Sequence, residues 1–321
     1  MKTAELLDYI VAALVCAKDT TLSYSVRDFE VWMRGALDRK DIVLPNGTRF
    51  ELSSVKGDFI QKIMNKVSLE HAASLGAKPW DKEYVRSSYG FKLDGVDFVY
   101  YPSRNPKRLV VNFSSMGKDR FDRYSRHWDE TQKWESDSAY LYFKDDSFMY
   151  YLGDDEKPMS PTYVRIIRSF MSMNGLKPDQ CITVGGSMGG YAAIYYAIQM
   201  GFLGAVTAAP QISASAAHAH SLDNWTRSIR STRGQWRDLN LFAYTKDKLP
   251  YFYLEYGQYH SDRLAVESFA ESVRNVGGMI VLRRAKWAEH TTDDVLSQPV
   301  VDAAIAFFES ARESEHLYQT S

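Results

Sequence analysis

The sequence predicts an α/β protein: a mostly parallel central sheet flanked by helices, preceded by a mainly helical N-terminal extension. Three observations carry this. From about residue 90, short apolar runs of strand character alternate with helix-period segments, the pattern left by crossover connections between parallel strands. The run Cys181-Ile182-Thr183-Val184-Gly185-Gly186-Ser187-Met188-Gly189-Gly190-Tyr191-Ala192-Ala193 packs one such crossover into a strand, a glycine turn and a helix. Before residue 89 the periodicity is helical and no chemical motif appears. The division expected is therefore 1–88, an extension of unassigned role, and 89–321, the main domain.

In the extension, 1–18 and 26–39 carry helix-period apolar positions, and 56–75 is a third helix closed by Gly76. Between them Asp41 to Leu52 reads as a hairpin around Pro45-Asn46-Gly47. The apolar stretch Ile10 to Cys16 is approached through Glu5 and Asp8 and lacks a basic flank beyond Lys2. An amphipathic helix is expected there rather than a signal sequence.

In the main domain, Val96–Tyr101 and Arg108–Phe113 are strands separated by a proline-containing turn. Ala139–Phe143 is the next, with Asp145 and Asp146 just past its end. A helix over Pro161–Met173 leads through Asn174-Gly175 to the Cys181 strand. Tyr191 to Met200 contains no helix breaker and stops at Gly201. Strands follow at Gly204–Ala209, Tyr251–Tyr256 and Met279–Leu282, with Phe269–Val276 in a helix and a final helix from about Asp293 to Ser310. Between Ala208 and Tyr251 a segment rich in Ser, His, Trp and Arg interrupts the alternation, an insertion at about 211–250.

Composition narrows the function. The chain has 321 residues, 45% of them hydrophobic and 25% charged, as in an ordinary globular protein. A formal net charge of −1 supplies no field for nucleic acid or an anionic membrane. No run reaches the length of a membrane span. Cys16 and Cys181 are the two cysteines, too few for a disulfide framework or a metal cluster, so a cytoplasmic location is expected. The 21 tyrosines fit either a glycan-binding surface or a core rich in aromatic packing.

The G-x-S-x-G pattern at Gly185–Gly189 is short and says little alone; its flanks give it meaning. A serine hydroxyl lifted clear of a sheet needs a sharp turn between a buried strand and a helix, with no side chains crowding it. Gly185 and Gly189 stand where a Cβ would collide, and Gly190 gives the helix room to approach. The alternatives are a structural glycine turn or a phosphate-cradling loop, and the second fits poorly because no lysine follows the glycines.

On these motifs the region from about 90 to 315 resembles the α/β-hydrolases, whose fold is expected for it. The family's nucleophile elbow matches Gly185-Gly186-Ser187-Met188-Gly189, and its acid and histidine follow the serine in that order. The resemblance implies that Asp262 is the acid, in the loop Gly257-Gln258-Tyr259-His260-Ser261-Asp262 after a strand, with Asp223, Asp238, Asp247 and Glu255 as competitors. It implies that His290, in Trp287-Ala288-Glu289-His290-Thr291, is the base for Ser187. The oxyanion donors would be the Met188 N–H and a group of Ser114-Ser115-Met116-Gly117, with Ser114 and Ser115 both open, since the family's usual His-Gly or Gly-Gly pair is missing. Insertions in this family form lids or walls over the nucleophile, so the resemblance implies a lid-like role for about 211–250. It makes Trp225, Trp236, His218 and His220 expected substrate contacts, with His260 beside them. The alternate spacing of His218 and His220 without a carboxylate or thiol set argues against a metal.

A looser likeness, in Phe143-Lys144-Asp145-Asp146 and Tyr150-Tyr151-Leu152-Gly153, is to α/β-hydrolase-like proteins of bacterial surface-polysaccharide loci, including capsule O-acetyltransferases. It implies an esterase or O-acetyltransferase working on an acylated carbohydrate or other small ester. No cofactor is implied, though a transferase would accept acetyl-CoA as acyl donor. The competing expectation is a non-catalytic partner in a polysaccharide or secretion assembly, docked through the N-terminal helices.

Overall fold

The computed structural model describes residues 41–43, 49–51, 89–103, 105–118, 120–122, 136–219, 223–290 and 296–319. The three helices expected at 1–18, 26–39 and 56–75 lie outside them, as does His220. The expected hairpin is present as β1 (Asp41–Val43) and β2 (Arg49–Glu51), antiparallel, with Ile42 opposite Phe50.

The chain forms two compact units. The first comprises Met1–Phe91, Val99–Pro106 and Trp128–Ala139. It contains the β1–β2 hairpin and an edge-to-face pair, Tyr89 on Tyr101, with ring centres 5.1 Å apart. The second comprises Lys92–Phe98, Lys107–His127 and Tyr140–Ser321, and every site residue discussed below belongs to it.

The main sheet has eight strands: β3 (Gly90–Leu93), β4 (Val96–Tyr101), β5 (Arg108–Phe113), β6 (Ser138–Phe143), β7 (Cys181–Gly186), β8 (Gly204–Ala208), β9 (Tyr251–Tyr256) and β10 (Ile280–Arg284). Their order is β10-β9-β8-β7-β5-β6-β4-β3, and β5, β7, β8, β9 and β10 run parallel to their neighbours in that series. The chain leaves β5 toward β6 on one side and leaves β7 toward β8 on the other. Loops at the ends of β5 and β7 therefore diverge and open a crevice, the place where such sheets bind ligands.

The strands from β4 onward match the expected apolar runs to within two residues. β4 to β9 do so because their side chains are almost all buried and read as continuous hydrophobic stretches, whereas the edge strand β10 is half-exposed and starts one residue and ends two residues later than expected. β3 was not anticipated. Its residues are exposed or half-exposed, so it shows no apolar pattern, and it exists by pairing across Asp94-Gly95, whose φ values of 51° and 83° suit a tight hairpin turn. β8 stops at Ala208, one residue early, because Ala209 turns to φ 42°. The last helix runs from Gln298 to Gln319, later and longer than expected, since no breaker follows Ser310.

Helices cover both faces. In chain order they are α1 (Ser160–Met173), α2 (Met188–Met200), α3 (Ala214–Ala219), α4 (Asp223–Ser231), α5 (Leu239–Phe242), α6 (His260–Asn275) and α7 (Gln298–Gln319). Thr183 donates its hydroxyl to the Ala193 carbonyl at 2.7 Å, tying α2 to one face of β7. Phe308 of α7 lies against Gly204, whose register partner Ile182 points to the opposite face from Thr183. α2 is buried nearly all round by Ala192, Ala193, Ile194, Ala197 and Ile198, and it ends at Gly201 in the left-handed region.

The elbow glycines have the role the sequence implied. A Cβ on Gly185 would sit 2.1 Å from the Gly189 carbonyl oxygen, and one on Gly189 would sit 2.1 Å from that of Phe113. Gly190 faces Pro210, beyond the end of β8, with the Gly185 carbonyl oxygen of β7 next at 3.5 Å. Because backbone on both sides cannot yield, Gly189→Ala is expected to destabilise the protein by about 3 kcal/mol or more, measured as a lower midpoint in chemical denaturation. A loss under about 1 kcal/mol would show that α2 can shift to make room.

Candidate active site

Ser187 lies between β7 and α2 with φ 52° and ψ −120°, a conformation costing about 1–3 kcal/mol for a residue with a side chain. It is held there by its N–H, donated to the Ala208 carbonyl at 3.0 Å, and by its own carbonyl, which accepts from Tyr191 and Gln211. The turn projects Oγ at the C-terminal end of the sheet, and the serine is only 4% exposed.

Two further loops converge on it. Asp262 lies in the first turn of α6, after β9, with its carboxylate at the positive end of the helix and 2% exposed. His290 follows β10, in a segment docked against the β9 loop by the N–H of Gln258, donated to the Trp287 carbonyl at 2.6 Å. That approach needs Gly257, because a Cβ there would be 2.6 Å from the same oxygen. The result is a continuous chain: Ser187 Oγ to His290 Nε2 at 2.9 Å, and His290 Nδ1 to Asp262 Oδ1 at 2.8 Å. A carboxylate on Nδ1 fixes that proton and leaves the Nε2 lone pair for the serine hydroxyl.

The structure places three of the four competing acids elsewhere, and the side chain of Asp223 lies outside the described residues. Glu255 is buried inside β9 and accepts from Tyr253 at 3.1 Å, from the Leu296 N–H at 3.2 Å and from Arg283, a structural ion pair. Asp238 accepts from the Ala214 N–H and Trp236 Nε1, and Asp247 is exposed. Cys181, at the far end of β7, is no rival nucleophile: burial pushes its thiol up to about 12, helped by Asp179, so it stays neutral.

The expected substrate contacts have different fates. Trp225, from α4 in the insertion, is buried and meets the His290 ring edge to face with centres 4.5 Å apart. Trp236 instead stacks on Tyr191 at 4.3 Å and meets Tyr150 at 4.9 Å, as part of an aromatic cluster behind α2. His260 is exposed at the start of α6, and His218 is exposed on α3; neither is hydrogen-bonded to the Ser187 group. The 211–250 insertion is fastened to the loop after β6 by Arg233 with Glu156 at 2.6 Å and by Asp155, which accepts from Gly234 and Gln235.

For the oxyanion loop the expectation needs correcting. The Met188 N–H is the first of α2 and has no acceptor inside the helix. Ser114 and Ser115, however, have their donors engaged. Ser114 gives both N–H and hydroxyl to the Phe143 carbonyl, at 3.1 and 2.9 Å. Ser115 gives both to Asp122 Oδ2 at 2.7 Å. Burial raises the Asp122 pKa, but the bonds from Ser115 and Arg120 outweigh it and hold the carboxyl below its ordinary value. The stability of this clamp is thus present above the ordinary carboxylate range and lost as pH falls through the lower, folded value. Among the described residues no group accepts from the next N–H, that of Met116. The loop borders the elbow, since Gly189 abuts the carbonyls of Phe113 and Ser114.

Among the described residues no group of His, Cys, Asp and Glu is arranged to hold a metal ion, and no helix is long and apolar enough to cross a membrane. Neither a protein-family model nor a curated protein matches the chain. Solved structures do. The capsule O-acetyltransferase of Neisseria meningitidis serogroup A superposes with TM-score 0.51 at 15% identity, over 70% of this chain and 92% of that one. Fluorophosphonate-binding serine hydrolase F of Staphylococcus aureus gives 0.52 at 15% identity, over 68% and 96%. S-formylglutathione hydrolase of Staphylococcus aureus gives 0.52 at 16% identity, over 68% and 96%. At these identities the likeness establishes the fold: the chain has the α/β-hydrolase fold.

Proposed function

We propose that the protein is a serine acyl-transfer enzyme acting on esters, in which Ser187 is the nucleophile, His290 the general base and acid, and Asp262 the partner of the imidazole. The observation that carries this reading is the unbroken Ser187–His290–Asp262 hydrogen-bond chain on a strained elbow. In the first half-reaction Ser187 Oγ adds to the ester carbonyl carbon while its proton passes to His290 Nε2. The carbonyl oxygen takes up the electron pair as an oxyanion, stabilised by the N–H groups of Met188 and Met116. Collapse breaks the bond to the leaving alcohol, which takes the proton from His290. A second hydroxyl, from water or an acceptor alcohol, then repeats the sequence in reverse roles and frees the serine.

The acyl group proposed is acetyl and the substrate class an acylated carbohydrate. Support comes from the Trp225 and Tyr259 rings beside His290 and from the fold shared with a capsule O-acetyltransferase. A fluorophosphonate probe is expected to label the folded protein once, at Ser187, and to leave Ser187→Ala unlabelled. Intact protein that takes up no label would end the enzyme reading. Turnover of p-nitrophenyl acetate or acetyl-CoA should accelerate with a glycan acceptor and yield acetylated glycan. Release indifferent to every acceptor would make the enzyme an esterase instead.

A further inference from the structure

The loop after β6 holds an unusual concentration of strain. Phe148, Tyr150 and Tyr151 have φ values of 58°, 55° and 63°, a region where bulky residues are genuine outliers. Such strain persists only where surroundings over-determine it, and they do here. Asp145, 7% exposed, accepts the Ser147 N–H and hydroxyl on Oδ1 and the Tyr151 N–H on Oδ2, the last at 2.9 Å. The Tyr151 carbonyl accepts from Tyr196 at 2.7 Å, and its ring is packed on Phe113 and Tyr163. Tyr150 packs edge-on against the stacked pair of Tyr191 and Trp236.

Two successive left-handed residues send their side chains apart, and each hydroxyl reaches a segment bordering Ser187. Tyr151 donates to the Ser114 carbonyl at 2.8 Å, with the Phe143 carbonyl second at 3.3 Å. The Ser114 carbonyl belongs to the loop that carries the Met116 N–H. Tyr150 donates to Gln211 Oε1 at 2.6 Å, and the Gln211 N–H is in turn donated to the Ser187 carbonyl at 3.3 Å. Both residues are at most 1% exposed. Burial pushes both well above the ordinary tyrosine range, so both hydroxyls keep their protons and donate at neutral pH.

We propose that Tyr150 and Tyr151 are positioning residues for the oxyanion pocket: held by Asp145 in a strained double left-handed turn, they fix the Ser114 carbonyl and Gln211, and through them the oxyanion loop and the nucleophile elbow. This rests on the acyl-transfer reading above. Its chemical consequence is specific. A loosened oxyanion loop weakens stabilisation of the tetrahedral intermediate more than it weakens ester binding, because the oxyanion exists only after attack.

The test is Tyr151→Phe, which deletes one hydroxyl from a packed ring. With p-nitrophenyl acetate, kcat is expected to fall about tenfold with KM within about twofold, since displacing a donor costs less than the 10²- to 10³-fold of removing one. Affinity for phenylboronic acid, whose adduct on the serine places an oxygen in the same pocket, should weaken by a similar factor. A purely structural tyrosine would lower the melting temperature without linking kcat to boronate affinity. Unchanged kcat, or a fall in kcat with unchanged boronate affinity, would overturn the proposal. Should Tyr151→Phe not fold, Tyr150→Phe carries the same expectation through Gln211. Wild type and Ser187→Ala are labelled with fluorophosphonate alongside. Unlabelled wild type refutes the enzyme reading and this proposal with it, whereas labelled wild type beside an equally reactive Tyr151→Phe refutes this proposal alone.

Discussion

Ser187→Ala and His290→Ala should each reduce ester turnover by roughly 10⁴- to 10⁶-fold, and the double variant should be no worse than either alone. The reason is that the two groups act as one. Without His290 the Ser187 hydroxyl has no acceptor at 2.9 Å for its proton and is a poor nucleophile; without Ser187 the imidazole has nothing to activate. Steady-state kinetics on the three purified variants, with circular dichroism to establish folding, checks this. Penalties that multiply in the double variant would mean the two residues work independently and would dismantle the assignment. A loss of less than about a hundredfold in His290→Ala would do the same, by making another group the base.

Asp262→Asn is expected to cost on the order of 10⁴-fold in kcat while leaving KM and the fold almost unaltered. Asp262 is 2% exposed and its carboxylate 2.8 Å from Nδ1, so in the proposed reaction it would fix the tautomer and offset the charge the imidazole gains during attack. An amide of the same shape keeps the packing but lacks the charge, and its NH₂ can donate to Nδ1, turning the ring toward the unproductive tautomer. Glu255→Gln is the control. That carboxylate is equally buried at the end of β9 but is spent on Arg283, Tyr253 and the Leu296 N–H. Its loss should appear in denaturation and not in kcat. If Glu255→Gln proved the slower enzyme of the two, the acid would have been misassigned.

Much of the sheet was legible because its strands are buried on both faces, where only continuous apolar runs fit. β3 was not, because an exposed edge strand carries no such mark and forms only through its hairpin with β4. The elbow was legible because close backbone packing admits glycine alone at Gly185 and Gly189. The oxyanion loop shows the limit of that reasoning. Ser114 and Ser115 stand in the expected segment, yet Phe143 and Asp122 claim their donors, and nothing in the spacing of Ser115 and Asp122 announces the clamp between them. Trp225 and Trp236 looked equivalent in sequence; one edges the imidazole and the other is stacked behind α2.

The alternation of strands and helices, the glycine-flanked serine, and an acid and a histidine after it in chain order could all be read from the chain alone. These depend on local constraints: side-chain volume, backbone freedom and hydrophobic period. Long-range packing settles instead which carboxylate faces the imidazole, which donors of Ser114 and Ser115 are already engaged, and what the hydroxyls of Tyr150 and Tyr151 reach. Those are questions of which group reaches which across the end of the sheet, where residues such as 114 and 151 or 187 and 290 meet only because parallel strands bring their loops to one edge.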